Sequence, residues 1–313
     1  MPSTRRILFM SVNYSNPAGG VRTVYRHAEI LRRHGFQASV LHVGGPDQLH
    51  FETNAHVIRA TDNPPFREDD ILVVNEDRRE CLDFAASINL TKVLFLQNHF
   101  FMFEGLPEGL GYGDIGITHY LIGSAWMARA MEELLGLEDV PVVRYAIDKA
   151  QFFPEAKRRK IAYMPRKLPL AARFIRRAFR QRYPEYADIE WEEISGLPEA
   201  EAARRLRQSA IFLALGRTEG LGLPPLEAMS SGCLPVGFPG DGGKEYMTAE
   251  NGFWVEQEDM MACVHALAEA VRVLEQPDRL KAMLANGANT TGYYSMDGME
   301  ADLLAFWEQV TAV

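Results

Sequence analysis

Two α/β domains in tandem, each built on a parallel, doubly wound sheet, are predicted by three features of the sequence. Strand-like apolar runs alternate with helix-period patterns twice over, once before residue 145 and again after residue 160. The length of 313 residues suits two domains of roughly 150 residues, each able to bury its own core. Between the two series, Pro154 and a charge run break the pattern over residues 148–159, which places the junction there.

Taken in order, the first element is the apolar run from Arg5 to Asn13. Pro17, Gly19 and Gly20 follow it, and then Val21, Val24, Tyr25, Ala28 and Leu31 recur at helical spacing. That is strand, glycine turn, helix. Further strand runs lie at 38–43, 71–74, 93–96, 120–122 and 140–145, with a helical pattern over 124–135. The second series reads strand 161–164, helix 169–182, strand 189–194, helix 198–208, strand 210–215, helix 223–231 and strand 234–238. Three helical patterns close the chain, the last over 299–313 with Leu303, Leu304, Phe306, Trp307 and Val310 on its apolar side. No internal repeat or low-complexity tract is present.

Composition excludes several functions. A net charge of −9, from 33 Lys and Arg against 42 Asp and Glu, argues against a nucleic-acid partner. Cys81, Cys233 and Cys263 fall in no CxxC or Cys/His spacing, so neither disulfides nor a zinc site is expected, and the compartment is expected to be reducing. The apolar stretch after Arg5 and Arg6 is only about six residues long, too short for a signal-peptide core, and no run reaches the roughly 18 needed to span a bilayer. A cytoplasmic protein is expected, with surface contact to a membrane left open.

The most informative stretch is Thr218 to Glu245, TEGLGLPPLEAMSSGCLPVGFPGDGGKE, in which Glu219 and Glu227 flank a Gly-Leu-Gly turn. Such a turn bares consecutive backbone N–H groups at the mouth of a new helix, and Pro224 in its first turn forfeits no hydrogen bond. A diphosphate fits there. Glu227, one turn inside the helix, is placed to accept hydrogen bonds from a ribose diol, and Glu219 to reach hydroxyls beyond the phosphates. The alternative reading makes both of them solvated surface carboxylates.

At this stretch the sequence resembles the nucleotide-sugar signature of GT-B glycosyltransferases, closest to retaining glycosyltransferase family 4. The resemblance runs from Glu219 through Glu227 into Ala228-Met229-Ser230-Ser231-Gly232-Cys233-Leu234-Pro235-Val236, then to Gly242-Gly243 with Glu245 and to Asn251-Gly252-Phe253. Pro17-Ala18-Gly19-Gly20-Val21-Arg22 matches the family's first-domain glycine loop, and Ile147-Asp148 with Phe152 its linker. It implies two Rossmann-like domains facing across a cleft: 1–150 on the acceptor side, 151–296 binding the nucleotide sugar, and 297–313 crossing back onto the first domain.

The resemblance further implies Glu227 on the ribose, the amides of Gly220, Leu221, Gly222 and Leu223 on the diphosphate or sugar, and Glu219 on a sugar hydroxyl. His99, ending the run Phe95-Leu96-Gln97-Asn98-His99, falls where the family often contacts the donor sugar from the first domain; a histidine satisfied by backbone is the alternative. Gly19 and Gly20 would let backbone approach the acceptor or the leaving diphosphate, against simple turn geometry. One departure matters. The family's Arg, followed about five positions later by Lys, is met by Arg166, but Ala171 occupies the Lys position, leaving Lys167 or Arg173 as substitutes.

Two patterns are set aside. Gly111 to Gly116 satisfies GxGxxG but is followed by a strand-like run rather than a helix. No Asp-x-Asp occurs, so no metal and no cofactor is expected. Residues 157–182 carry eleven Lys or Arg and no acid, and the helix within them reads either as a lipid- or ligand-facing basic surface or as a packed helix with a solvated basic face.

The function implied is transfer of a sugar from a nucleoside diphosphate to a hydroxyl of a glycan, lipid or small-molecule acceptor, with retention and without metal. A nucleotide-sugar epimerase of the same architecture and a degenerate, non-catalytic nucleotide-binding partner are the competing readings.

Overall fold

The computed structural model describes residues 5–12, 19–43, 49–62 and 64–312. Contacts divide the chain into two units, Met1–Tyr145 with Asp297–Val313, and Ala146–Met296.

In the first unit, β1 (Arg6–Val12), β2 (Gln37–Val43), β3 (Val57–Arg59), β4 (Ile71–Asn75), β5 (Thr91–Leu96) and β6 (Ile117–Ile122) form a sheet in the order β3-β2-β1-β4-β5-β6. All pairs are parallel. Central strands are buried on both faces, which is why they read as continuous apolar runs rather than alternating ones. The helices α1 (Gly19–Arg33), α2 (Arg79–Ser87) and α3 (Ala125–Leu135) connect them. Asp70, fully buried before β4, accepts both Arg6 Nε at 2.7 Å and Arg6 Nη2 at 2.5 Å, so the charge at the sheet's lower edge is neutralised where it is desolvated.

The second unit contains β7 (Arg158–Tyr163), α4 (Pro169–Arg182), β8 (Glu190–Glu193), α5 (Glu199–Gln208), β9 (Ser209–Glu219), α6 (Leu223–Ser230), β10 (Leu234–Asp241), β11 (Phe253–Trp254), α7 (Met260–Val273) and α8 (Pro277–Tyr293). Its parallel sheet runs β11-β10-β9-β7-β8. One core cluster sits under α4 and α7, around Ile175, Phe179, Leu213, Val236 and Val264.

The last helix, α9 (Met296–Thr311), packs in the first unit. Trp307 is fully buried with its ring 5.7 Å from Phe9, edge to face at 67°. Asp302 accepts from Arg144 Nε at 2.5 Å and Nη2 at 3.0 Å, and Glu300 pairs with Arg33 at 2.6 Å and His34 at 2.7 Å. Burying rings of this size contributes roughly 2–3 kcal/mol each as an upper bound.

One expected strand is corrected. Over 140–145 only Val142 bridges Ile122 and no strand forms, because Pro141 lacks the amide that a ladder needs. The edge strands β3 and β11 and the helix α2 were not legible in advance. Asn13, Pro17 and Ala18, part of the first run and glycine loop, lie outside the described residues.

Candidate functional site

In each sheet the strand order reverses once, and ligands of doubly wound sheets collect at the C-terminal strand ends beside that reversal. In the second unit the reversal lies at β7 and β9. Arg166 and Lys167 follow β7, and Glu219 ends β9. Although 52 positions apart in sequence, Lys167 Nζ and Glu219 Oε1 meet at 2.8 Å. Lys167 also donates to the carbonyls of Arg217 at 3.1 Å and Thr218 at 3.4 Å, so it fastens the strand end as well as its carboxylate. Arg166 is exposed and makes no ion pair or hydrogen bond among the described residues.

Backbone conformation sharpens the turn. Thr218 has φ +48° and Asp241 φ +75°, positions where an L side chain is strained, and Glu219 and Asp241 lie in register on adjacent strands. Gly222 at φ +88° is the N-cap of α6, with Pro224 and Pro225 in the helix's first turn. Tyr246, buried, donates from its hydroxyl to Gly222 O at 2.6 Å; burial pushes that phenol well above its ordinary range, so it is a donor at any working pH. Glycines let the strand ends close. A Cβ on Gly242 would lie 2.3 Å from Gly220 O, and one on Gly237 would lie 2.1 Å from Ala214 O.

Glu227 is buried on α6, not a solvated surface acid. Glu219 is half-buried and paired. Gly220, Leu221 and Gly222 are all buried, Gly220 at the close approach of Gly242 and Gly222 against the Tyr246 hydroxyl, so the turn is held in place by its neighbours. The Asn251-Gly252-Phe253 segment acts as scaffold. Asn251 donates to Tyr246 O at 2.7 Å and Thr290 Oγ1 at 3.1 Å, and its Oδ1 accepts from Thr248 N and Trp254 Nε1, both at 3.0 Å.

The first unit has its reversal at β1 and β4. Gly19 and Gly20 open α1 after β1, and a Cβ on Gly20 would meet Gln97 Oε1 at 2.6 Å. His99 begins a single turn after β5, its ring 4.3 Å from that of Phe100. Glu76, one residue beyond β4, is buried and accepts from the amides of Gln97 at 3.1 Å and Asn98 at 2.8 Å. Burial raises its pKa to about 8 and the Asp77 charge adds to this, while the two amides pull the other way. The loop that carries His99 is thus pinned by a carboxyl.

The sequence reading therefore finds Arg166, Lys167, Glu219, Glu227 and the Gly220–Leu223 turn brought together in one unit, and Gly19, Gly20 and His99 at the strand ends of the other. It missed Tyr246, Glu76 and Lys244, which pairs with Asp241 at 2.9 Å beside Glu219. Lys244 sits inside the quoted Gly-Gly-Lys-Glu, so its position was available; the burial of Glu76 was not. Arg173, offered as a substitute cation, lies instead on the exposed face of α4.

Comparison with known proteins agrees with this arrangement. Residues 194–289 match the family described as Glycosyl transferases group 1, a segment containing the whole glycine turn and both glutamates. The chain is 25% identical over 221 residues to an alpha-1,6-glucosyltransferase of Actinobacillus pleuropneumoniae, covering 68% of this chain and 67% of that protein. Among solved structures, sucrose-phosphate synthase from Thermosynechococcus elongatus superposes with a TM-score of 0.71 at 12% identity, over 98% of this chain and 99% of that one. HepE of Anabaena, in complex with UDP and glucose, gives 0.66 at 12% identity over 99% and 100%. The structures speak for the fold and the matched segment and relative for the chemistry: the chain is an enzyme, a glycosyltransferase of GT-B fold.

Proposed function

We propose that the enzyme takes its sugar from a nucleoside diphosphate donor held by the second unit and passes it, with retention of anomeric configuration and without a metal ion, to an acceptor hydroxyl bound on the first-unit side. The resemblance to family 4 is part of this reading. The observation that carries it is the buried Glu227 one turn inside α6, directly after the Gly220–Leu223 turn. A buried carboxylate facing a ribose diol gains charge-assisted hydrogen bonds that water would otherwise supply. UDP bound in the structurally similar HepE supports a uridine or related donor.

Charge stabilisation is assigned to three groups: the exposed Arg166, the N-terminal amides of α6 and, once a diphosphate competes for it, Lys167. Lys167 neutralises Glu219, and donor binding exchanges this anionic partner of the lysine for the diphosphate. Glu219 is then released to accept from a sugar hydroxyl. In front-face transfer the bond from anomeric carbon to diphosphate oxygen breaks, the acceptor oxygen bonds the same face, and its proton passes to the departing diphosphate. No protein nucleophile is needed, and catalysis rests on positioning and on anion stabilisation. The α product named for the Actinobacillus relative is what retention gives from an α-configured donor.

The test is thermal unfolding against a panel of nucleoside diphosphates and nucleotide sugars, with turnover followed in chelator. A diphosphate that binds only the folded state at 100 times its Kd stabilises by about 2.7 kcal/mol. One base should stand out, and chelator should leave turnover unchanged. A flat panel removes the nucleotide-sugar reading, and activity restored only by Mg²⁺ or Mn²⁺ removes metal independence.

A further inference from the structure

The basic segment 157–182 separates into two groups of charges. Lys157 is fastened internally, donating to the carbonyls of Arg207 at 2.7 Å and Ser231; Lys160 pairs with Glu192 at 2.7 Å and Glu190 at 3.1 Å. Arg159 reaches Asp188 and Glu275, Arg176 donates to Tyr163 Oη at 3.5 Å, and Arg182 lies over the Tyr183 ring. Arg173, Arg177 and Arg180 are exposed on α4 and make no ion pair or hydrogen bond among the described residues.

On the same helix Ala171, Ala172, Ile175 and Phe179 face the core, while Leu170 is 72% and Phe174 44% exposed. At about 100° per residue, Leu170 and Phe174 lie on one flank of the outward face and the three arginines on the other. A hollow of about 500 Å³ runs along this face, lined by Arg173, Phe174, Arg177, Ala178 and Gln181. We propose that the outward face of α4 docks on an anionic lipid bilayer, the arginines meeting headgroup phosphates and Leu170 and Phe174 entering the interface.

Charge complementarity selects this partner. The chain as a whole carries −9, so a uniformly spread polyanion is repelled everywhere but here, whereas a flat anionic surface touches only the basic face. A soluble polyanion would have no use for two large apolar side chains held in water beside the arginines, but a bilayer interface buries them. The elements combine as in an interfacial helix, with the difference that α4 is already folded and anchored through its inner face, so docking orders nothing new. The inference stands apart from the donor reading, because none of these five residues belongs to the glycine turn.

The experiment is co-sedimentation of the full chain with vesicles of equimolar phosphatidylglycerol and phosphatidylcholine, against phosphatidylcholine alone. Wild type should partition onto the anionic vesicles and be released at about 0.5 M salt, where the Debye length has shrunk to a few Å. Loss of each arginine should weaken partition on the order of fivefold, so Arg173→Gln/Arg177→Gln/Arg180→Gln together should lower it about a hundredfold. Leu170→Ser/Phe174→Ser should weaken it further while keeping the salt dependence. Equal wild-type binding to both vesicle types overturns the proposal without any variant, and so does a triple variant that binds as wild type does. If heparin binds the chain and the Leu170/Phe174 variant binds vesicles undiminished, the face serves a soluble polyanion instead.

Discussion

Both sheets are parallel and each reverses its strand order once, yet the glycines beside their ligand-side turns meet different neighbours. At the ends of β9 and β10, backbone lies against backbone: Gly242 brings the Gly220 carbonyl to where its own Cβ would stand. At the corresponding edge of the first unit the close approach of Gly20 is to the end of the Gln97 side chain, and the loop is held by the buried carboxyl of Glu76. The second-unit turn adds main-chain excluded volume to its Lys167–Glu219 pair. The first-unit edge has one main-chain approach of its own, Gly105 against Glu76 O at 2.4 Å, and adds a buried carboxyl that titrates. The contrast suits the proposed division of labour, a cradle for a donor diphosphate in one unit and the acceptor side in the other.

The largest effect that would break the contrast is expected at Gly242→Ala. The new methyl would lie 2.3 Å from Gly220 O and 2.6 Å from Glu219 O, both main-chain atoms that cannot move alone. A cost of about 2–4 kcal/mol is expected, read as a lowered urea midpoint, with donor affinity lost in whatever fraction stays folded. A variant as stable as wild type would mean that the β9–α6 turn is adaptable. Next comes Glu227→Ala, which should weaken donor binding by about 1–3 kcal/mol in calorimetry while leaving the fold intact. Unchanged affinity in a folded variant would remove Glu227 from the site.

What was legible beforehand follows the same division. The central strands declared themselves because burial on both faces demands unbroken apolar runs, and the glycine turn because its chemistry is contiguous: Glu219, Gly220, Gly222, Pro224 and Glu227 span nine positions. β3 and β11 did not, being two or three half-exposed residues long. Nor did the partnership of Lys167 with Glu219, which exists only because β7 and β9 are neighbours in the sheet. Glu76 stands beside Asp77 in the sequence, and nothing local announces that the chain beyond β5 folds over it. His27 is similar: its helix pattern was plain, but its place between the rings of Phe9 and Phe95 depends on the whole sheet.

Those two buried groups give the first unit a pH response. Burial lowers the His27 pKa to about 3, so the folded unit keeps it neutral while the unfolded chain protonates it below 6.5; its stabilisation is present above 6.5 and lost as pH falls. Glu76, raised to about 8 from 4.5, works in the other sense: its contribution is full below 4.5 and is lost as pH rises through 8. Between 4.5 and 6.5 the two slopes offset. From 6.5 to 8 the first unit should lose about 1–2 kcal/mol, at up to roughly 1.4 kcal/mol per pH unit. Hydrogen exchange, corrected for intrinsic rates, should show β4 and β5 amides losing protection over that interval relative to β9 and β10. Glu76→Gln keeps an acceptor for Gln97 and Asn98 and should flatten the alkaline decline; an unchanged decline would assign it to another group.

The smallest effect, and the sharpest comparison with Gly242, is expected at Gly20→Ala. The added methyl meets Gln97 Oε1 at 2.6 Å, with Gln97 Cδ at 3.2 Å, and no main-chain atom stands among its nearest neighbours. Among the described residues Gln97 Oε1 is buried without a hydrogen-bond partner, so swinging it aside breaks no bond to them. Gly20 also lies within α1 at no positive φ, where alanine is favoured over glycine by up to about 1 kcal/mol. Steric cost and helix preference thus oppose each other, and the net change in stability should stay within about 1 kcal/mol of zero. Acceptor KM is the more telling readout: if Gly20 serves a close approach of the acceptor, KM rises while the urea midpoint holds. Loss of stability on the scale of Gly242→Ala would show that Gly20, too, is held by atoms that cannot give way, and the distinction between the two turns would fail.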